Sequence, residues 1–322
     1  MAQPKLKQIV QATLLASAFA LTAGTPASAA APLATTNAPG YFRMMLGTFE
    51  VTALSDGTVD LPVDQILSEK PAKTSETLAK SFLKLPLETS VNAFLINTGS
   101  KLVLVDTGAA GLFGPTLGKL LANLKASGYE ASQIDEIYIT HMHPDHIGGL
   151  SQGAAAAFPN AVVRADQNDA DFWLSQAKMD AAPAAQKGSF QGPMNAIKPY
   201  QTSDKFRPFS GKTELVPGIV AEPSYGHTPG HTVYSVTSEG KKLILIGDLI
   251  HVGAVQFGKP GVTVQFDSDA KTAAAARVKV FNEAAKDGTL VGAAHLSFPG
   301  LGHLRTAGKG YDWIPVNYTQ LR

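Results

Sequence analysis

Cysteine is missing from all 322 residues. A metal site in this chain therefore has no thiolate ligand, catalysis has no thiol nucleophile, and no disulfide can staple the fold. Stability must come from the core and from whatever the core binds. Charge is scarce as well. Only 16% of residues are charged, and 27 Lys and Arg against 26 Asp and Glu leave a net charge of +1. That balance gives no basic footprint for nucleic acid and no acidic tract. Internal repeats are absent, and beyond the N-terminus no apolar run is long enough to cross a bilayer. What is present is a hydrophobic fraction of 44%, with 30 Gly and 20 Pro. This is enough for a sizeable core, in one large domain or two smaller ones, and it suits a loop-rich α/β enzyme.

Lys5 and Lys7, the apolar stretch from Ile9 to Ala23 and the small residues Ala27-Ser28-Ala29 read as a signal peptide over residues 1–29. A flexible lead-in is expected over 30–40 and the folded domain over 41–322. The chain is then exported, periplasmic or secreted, with no stable membrane association after cleavage. An N-terminal anchor is the alternative, but the apolar run is short for a span.

Apolar patterning places strands at 42–54, 91–97, 102–105, 134–140, 161–165, 233–236, 243–246 and 290–294. Ser55-Asp56-Gly57-Thr58 and Thr98-Gly99-Ser100 read as hairpin turns. Leu117, Leu120, Leu121 and Leu124 predict a helix over 115–127, and Leu78 and Phe82 lie one helical turn apart in 74–85. A further helix is expected through Phe172 and Trp173. An Ala-rich helix is expected over 269–286, closed by Gly288. Residues 181–208 show no period and are expected to be irregular, near a binding site. Strands in two groups, each with helices, predict two packed sheets covered outside by helices.

The chemistry concentrates in Thr140-His141-Met142-His143-Pro144-Asp145-His146-Ile147-Gly148-Gly149. Crowded imidazoles and a carboxylate repel or desolvate one another in a dry turn, and a divalent cation reverses that penalty. All eight histidines lie between residues 141 and 303. His227, Asp248 and His295 lie beside predicted strands, where a rigid sheet lets loop residues converge. Five histidines and two aspartates of ligand type favour a metal site over coincidence. His231 and His303 are assigned structural roles.

The motif His141-x-His143-x-Asp145-His146, then His227, Asp248 and His295, with Leu104-Val105-Asp106-Thr107-Gly108 upstream, resembles the metallo-β-lactamase superfamily. The resemblance implies an α/β fold, the four-layer αβ/βα sandwich. It also implies two divalent cations, zinc by default, with manganese, iron or cobalt as substitutes. One would be held by His141, His143 and His227, the other by Asp145, His146 and His295, with Asp248 bridging. Asp248 and Asp106 are the catalytic aspartates, Asp106 by orienting a ligand histidine or, alternatively, only by capping a turn. The superfamily's β-lactamases lack the bridging carboxylate, whereas lactonases, phosphotriesterases, glyoxalase II-type thioesterases and nucleases have it.

Longer blocks resemble the methyl parathion hydrolase group, which includes aromatic-lactone and aryl-ester hydrolases. They are Ala38-Pro39-Gly40-Tyr41, Ala53-Leu54-Ser55-Asp56-Gly57-Thr58-Val59, Leu87-Glu88-Thr89-Ser90-Val91, the run from Thr107 to Gly118, and Ala294-His295-Leu296-Ser297-Phe298-Pro299-Gly300. This resemblance implies an exported homodimer. It implies a pocket lined by Phe113, Trp173 and Phe190, with Leu61, Ile66, His251 and Phe266 nearby; ordinary core packing is the alternative for each aromatic. Ile66 stands where the group's organophosphate hydrolases carry arginine, and His251 and Phe266 where they carry leucines. Flat rings at 251 and 266 point to aromatic lactones or aryl esters, with weak phosphotriester hydrolysis at most. The alternatives are a methyl parathion-type hydrolase, an acyl-homoserine lactonase and a non-catalytic periplasmic metal-binding protein.

Overall fold

The computed structural model describes residues 31–321, so the signal peptide expected over residues 1–29 lies outside them. Residues 31–37 form no helix or strand, and the folded unit begins at Ala38. Among the described residues no helix is long and apolar enough to cross a membrane.

Apolar, β-branched segments build the strands in chain order. The first half supplies β1 (Tyr41–Leu46), β2 (Phe49–Leu61), β3 (Leu87–Asn97), β4 (Leu102–Val105) and β5 (Glu136–Tyr138). A small ribbon follows, β6 (Ser151–Gln152) with β7 (Ala155–Ala156), and then β8 (Val162–Arg164). The second half supplies β9 (Thr213–Val216), β10 (Ile219–Pro223), β11 (Thr232–Ser238), β12 (Lys241–Leu245), β13 (Leu290–Gly292), β14 (Leu301–Ala307) and β15 (Gly310–Pro315). One sheet runs β1-β2-β3-β4-β5-β8 and the other β15-β14-β13-β12-β11-β10-β9. The pairs β4/β5, β5/β8 and β12/β13 are parallel. Buried on both faces, such strands read as unbroken apolar runs, as in Leu102-Val103-Leu104-Val105.

Val51, Phe94, Val103, Tyr138, Tyr234 and Leu245 fill the space between the sheets. Leu104, Ile137, Leu124 and Ile197 join the outer face of the first sheet to the Leu120–Ala126 and Lys187–Thr202 helices. Ile244, Val291, Val280 and Phe281 do the same for the second sheet and the Ala270–Asp287 helix. The result is the expected sandwich of helix, sheet, sheet and helix. The long Ala-rich helix has the expected ends. Asp269 caps it by accepting from Thr272 N–H at 3.0 Å, and Gly288 closes it at φ +64°.

Four expectations fail for physical reasons. Ser55–Thr58 is no hairpin turn; β2 runs through it with a register slip between Ser55 and Gly57. The bulge turns the buried Asp56 carboxylate inward, where it accepts from the N–H groups of Ala109, Gly118 and Leu120 at 2.9, 3.1 and 3.0 Å. The real turn lies at Gly47, at φ +59°. The same bonds hold residues 115–119 out of the expected helix, which starts only at Leu120. The segment 181–208 is not irregular, because Lys187–Thr202 is a sixteen-residue helix despite Pro193 and Pro199. Phe190, Pro193, Ala196, Ile197 and Tyr200 form its buried face at helical spacing. Phe82 does not continue the face of Leu78: the helix ends at Lys80, and Phe82 is 99% exposed at φ +58°.

Candidate metal centre

His141 and His143 lie on the turn that leaves β5, and Asp145 and His146 on the short Pro144–Ile147 helix that follows. His227 comes from the loop between β10 and β11, Asp248 from the turn after β12, and His295 from the loop after β13. Both sheets thus deliver side chains to one edge of the sandwich.

The ligand-type atoms converge in two groups, and a third set that overlaps them joins His251 to Asp248 and His295. His143 Nδ1 lies 3.0 Å from both His141 Nε2 and His227 Nε2. Asp248 Oδ2 lies 3.5 Å from His141 Nε2 and 3.3 Å from His227 Nε2. In the other group, Asp145 Oδ2 lies 3.5 Å from His146 Nε2 and 3.4 Å from His295 Nε2. Asp248 Oδ1 is 3.1 Å from each of those two nitrogens. Asp248 Oδ2 is also 3.2 Å from His295 Nε2, so the carboxylate stands between the groups, with Oδ2 towards His141 and His227, Oδ1 towards His146, and His295 within reach of both oxygens.

The far side of each ring explains the aim. His141 Nδ1 lies 3.1 Å from the Thr140 hydroxyl, and His146 Nδ1 is 2.8 Å from Asp106 Oδ2. His227 Nδ1 pairs with Asp267 Oδ1 at 2.8 Å, and His295 Nδ1 with the Ser90 carbonyl at 2.9 Å. With Nδ1 engaged, Nε2 is presented inward; only His143 presents Nδ1. Asp106 also accepts from the Thr140 N–H and hydroxyl, each at 2.8 Å. It thus orients His146 and the turn before His141, and its φ of +62° is held by those contacts. Asp267 went unnoticed in the sequence, where nothing marks an aspartate forty residues beyond His227 as its partner.

Without a cation the cluster is electrostatically divided. Burial and the neighbouring His146 hold His141 well below the ordinary imidazole range, and burial with His227 does the same to His143. Burial opposes charge on His227 too, but the Asp248 and Asp267 carboxylates outweigh it and hold it at about 9. Burial would raise Asp248, yet His146, His295 and His141 keep it well below the usual carboxylate range. His146 Nε2 and Asp248 Oδ1 are buried with no hydrogen-bond partner among the described residues. Donors about 2.0–2.1 Å from a shared zinc ion stand roughly 3.3 Å from one another in a tetrahedron. The two groups have that spacing and the hard nitrogen and oxygen chemistry such an ion takes, so the residues fit a pair of divalent cations.

Above the cluster lies a cavity of about 720 Å³. Leu61, Phe113, Trp173, Phe190, His251 and Phe266 all line it, with His143, Asp145, Asp248 and His295 at its base. Trp173 packs edge-on to His143 at 5.3 Å between centroids and against Phe190 at 5.0 Å. Ile66 does not belong there. It is buried beside Val63, Leu67 and Leu78 in a separate apolar cluster, and only its backbone reaches the pocket side, accepting from Gln265 N–H at 2.8 Å. His251 is more than a flat wall. It is buried, stacks on His295 at 5.2 Å, and its Nε2 lies 3.1 Å from Asp248 Oδ2. The two remaining histidines are structural as expected. His231 Nε2 accepts from Asp248 N–H at 3.1 Å, and His303 contacts the Gly288 carbonyl on the exposed face of β14.

The family description that matches this chain is the Metallo-beta-lactamase superfamily, over residues 87–295. The chain belongs to the metallo-β-lactamase superfamily. Among solved members of similar fold is the hydrolase AbOPH, 37% identical, with a TM-score of 0.84 over 88% of this chain and all of that one. Another is AidC, a dizinc quorum-quenching lactonase solved with a product; it is 28% identical, with a TM-score of 0.80 over 87% of this chain and 99% of that one. An N-acyl homoserine lactonase of Bacillus cereus is 23% identical over 201 residues, 58% of this chain and 72% of that protein. In this metallo-β-lactamase fold the ligand-type residues come from loops of both sheets, which the superfamily match spans from β3 to His295.

Proposed function

We propose that this chain is a binuclear metal-dependent hydrolase of aromatic lactones or aryl esters, with phosphotriesters as poor substrates. The observation that carries the reading is the placement of Asp248. One oxygen faces His141 and His227, the other faces His146, His295 lies within 3.2 Å of both, and the residue sits at the base of an aromatic-walled cavity. His141, His143 and His227 would hold one cation, Asp145, His146 and His295 the other, and Asp248 both. When bound, such a pair supplies Lewis acidity toward a substrate oxygen and makes water acidic enough to attack near neutral pH. The chain's own residues do the rest. Asp106, Asp267 and the Ser90 carbonyl fix the tautomers and aim of His146, His227 and His295. Trp173, Phe190, Phe113 and Phe266 exclude water and seat a flat ring against the base.

The likeness to AbOPH supports a hydrolase of this superfamily, and the blocks from Thr107 to Gly118 and Ala294 to Gly300 are what speaks for a place in the methyl parathion hydrolase and aromatic lactonase group. Export and a homodimer belong to the same proposal. The likeness to AidC favours a second reading, hydrolysis of acyl-homoserine lactones. A panel of dihydrocoumarin, 4-nitrophenyl acetate, N-hexanoyl-homoserine lactone and methyl parathion on the zinc-loaded protein tests both. The highest kcat/KM should fall on dihydrocoumarin or the aryl ester and vanish in Asp248→Ala and His143→Ala. Faster turnover of methyl parathion would overturn the first reading, and preference for the acyl lactone would establish the second. Two bound cations with no turnover of any of the four would make the chain a metal-binding protein.

A further inference from the structure

Neither the ligand set nor the cavity accounts for Asp169. It lies in the first turn of the Gln167–Trp173 helix and is 0% exposed. Its carboxylate reaches backbone around the ligands instead of the ligands themselves. Oδ2 accepts from Met142 N–H at 2.9 Å, between His141 and His143, and from the Thr228 hydroxyl at 3.0 Å. Oδ1 accepts from Gly230 N–H at 2.6 Å. All three donors sit on the two loops that carry His141, His143 and His227; none sits on the loops of Asp248 or His295. Close approach is built in. A Cβ on Gly230 would stand 2.5 Å from Asp169 N and 2.9 Å from Asp169 Cβ, so only glycine fits there. Asp166 anchors the helix start, accepting from Asn168 N–H at 2.8 Å and the Tyr225 hydroxyl at 3.0 Å. The loops are tied once more, by Thr232 N–H to the Thr140 carbonyl at 2.8 Å, but that bond precedes the ligands of the first turn. Burial pushes the Asp169 carboxyl up to about 6 against the pull of its three bonds, which still leaves it an ionised, acceptor-only group at neutral pH.

We propose that Asp169 is the positioning residue for one cation of the pair: it sets the gap between the His141–His143 turn and the His227 loop. Its loss weakens the cation held by His141, His143 and His227 and spares the one held by Asp145, His146 and His295. The inference rests on the two-cation reading. An amide cannot replace the carboxylate, because whichever way Asn turns, its NH2 faces a backbone N–H. The same helix carries Trp173 against His143, so the clamp also couples the cavity wall to that half of the site.

The test is metal binding by the full chain, read without substrate. Wild type, Asp169→Asn and the milder Thr228→Val are stripped, then titrated with Co(II) and Zn(II) against a chromophoric chelator. The Co(II) absorption bands follow each site. Wild type should bind two ions tightly. Asp169→Asn should keep one tight ion and bind the other about tenfold or more weaker, the scale of lost outer contacts. Thr228→Val should weaken the same ion by less. Two tight ions in Asp169→Asn, or equal weakening of both, overturns the proposal. If Asp169→Asn does not fold, Thr228→Val decides, and equal or no weakening of the two ions overturns it. Fewer than two ions in wild type overturns the two-cation reading itself, and the proposal with it.

Discussion

Phe266 and His251 separate the cavity from an aliphatic one, since both rings line it and their centroids lie 6.4 Å apart. Ring contacts of this kind contribute about 0.5–1.5 kcal/mol beyond area. Phe266→Leu should therefore raise KM for dihydrocoumarin by about two- to tenfold while leaving the two-ion stoichiometry intact, as steady-state kinetics and metal analysis would show. An unchanged KM would remove Phe266 from substrate contact. The seven ligand-type residues were legible because polar, metal-capable side chains stood where a buried turn should be apolar or empty. Ile66 departs from expectation because nothing in an isoleucine says whether it faces a cavity or the core behind it. Asp169 and Asp267 were invisible because their partners come from other loops. A prediction on pH isolates Asp169. Burial raises its carboxyl from 3.8 to about 6. A raised carboxyl stabilises the fold when protonated, fully below the unfolded value and progressively less as pH rises through the folded one. Asn cannot titrate. Metal-free wild type should therefore gain Tm relative to metal-free Asp169→Asn as pH falls through about 6 towards 4, and parallel pH profiles would contradict the burial assigned to this group.

The elements that the sequence misplaced are those whose ends are set by tertiary hydrogen bonds. Periodicity carried the helix prediction back to residue 115, but Asp56 claims the N–H groups of Gly118 and Leu120 and starts the helix at Leu120. Asp56→Ala leaves three backbone donors without their acceptor. At about 1 kcal/mol or more for each, urea unfolding should show a loss of roughly 3 kcal/mol, and KM should rise because Phe113 rides on the released loop. A loss under about 1 kcal/mol would mean that water replaces the carboxylate freely. The Lys187–Thr202 helix was hidden differently: Gly188, Gly192, Pro193 and Pro199 mask its period, and burial against the first sheet overrides their low propensity. Tyr200 fastens that helix to the ribbon region, donating to the Leu150 carbonyl at 2.9 Å and accepting from Phe158 N–H at 3.1 Å. Tyr200→Phe should cost about 1–2 kcal/mol with little change in kcat, since the hydroxyl bonds to neither a ligand-type residue nor a residue of the cavity wall.

Across the molecule, strand runs predicted two sheets but not their order, because β4, β5 and β8 pair in parallel and β12 skips to β13 across a long helix, connections that local pattern cannot specify. The grouping of strands and helices predicted two packed sheets covered by helices, and the superfamily resemblance agreed with that sandwich. That architecture gives the cations a role in stability. His141, His143, Asp145 and His146 leave the first sheet, whereas His227, Asp248 and His295 leave the second. Each proposed ion is thus a cross-link between sheets in a chain without disulfides, and none of it forms in the unfolded state. Ions that bind only the native state stabilise it by RT ln(1 + [L]/Kd), about 1.4 kcal/mol per ion for each tenfold rise in free metal above Kd. Urea unfolding in zinc buffers should therefore steepen to about 2.8 kcal/mol per decade once both sites fill. His143→Ala and His295→Ala, each losing one ion, should show half that slope over the same range. A wild-type slope equal to that of the single-site variants would mean that only one ion ties the sheets together, however many the folded protein can hold.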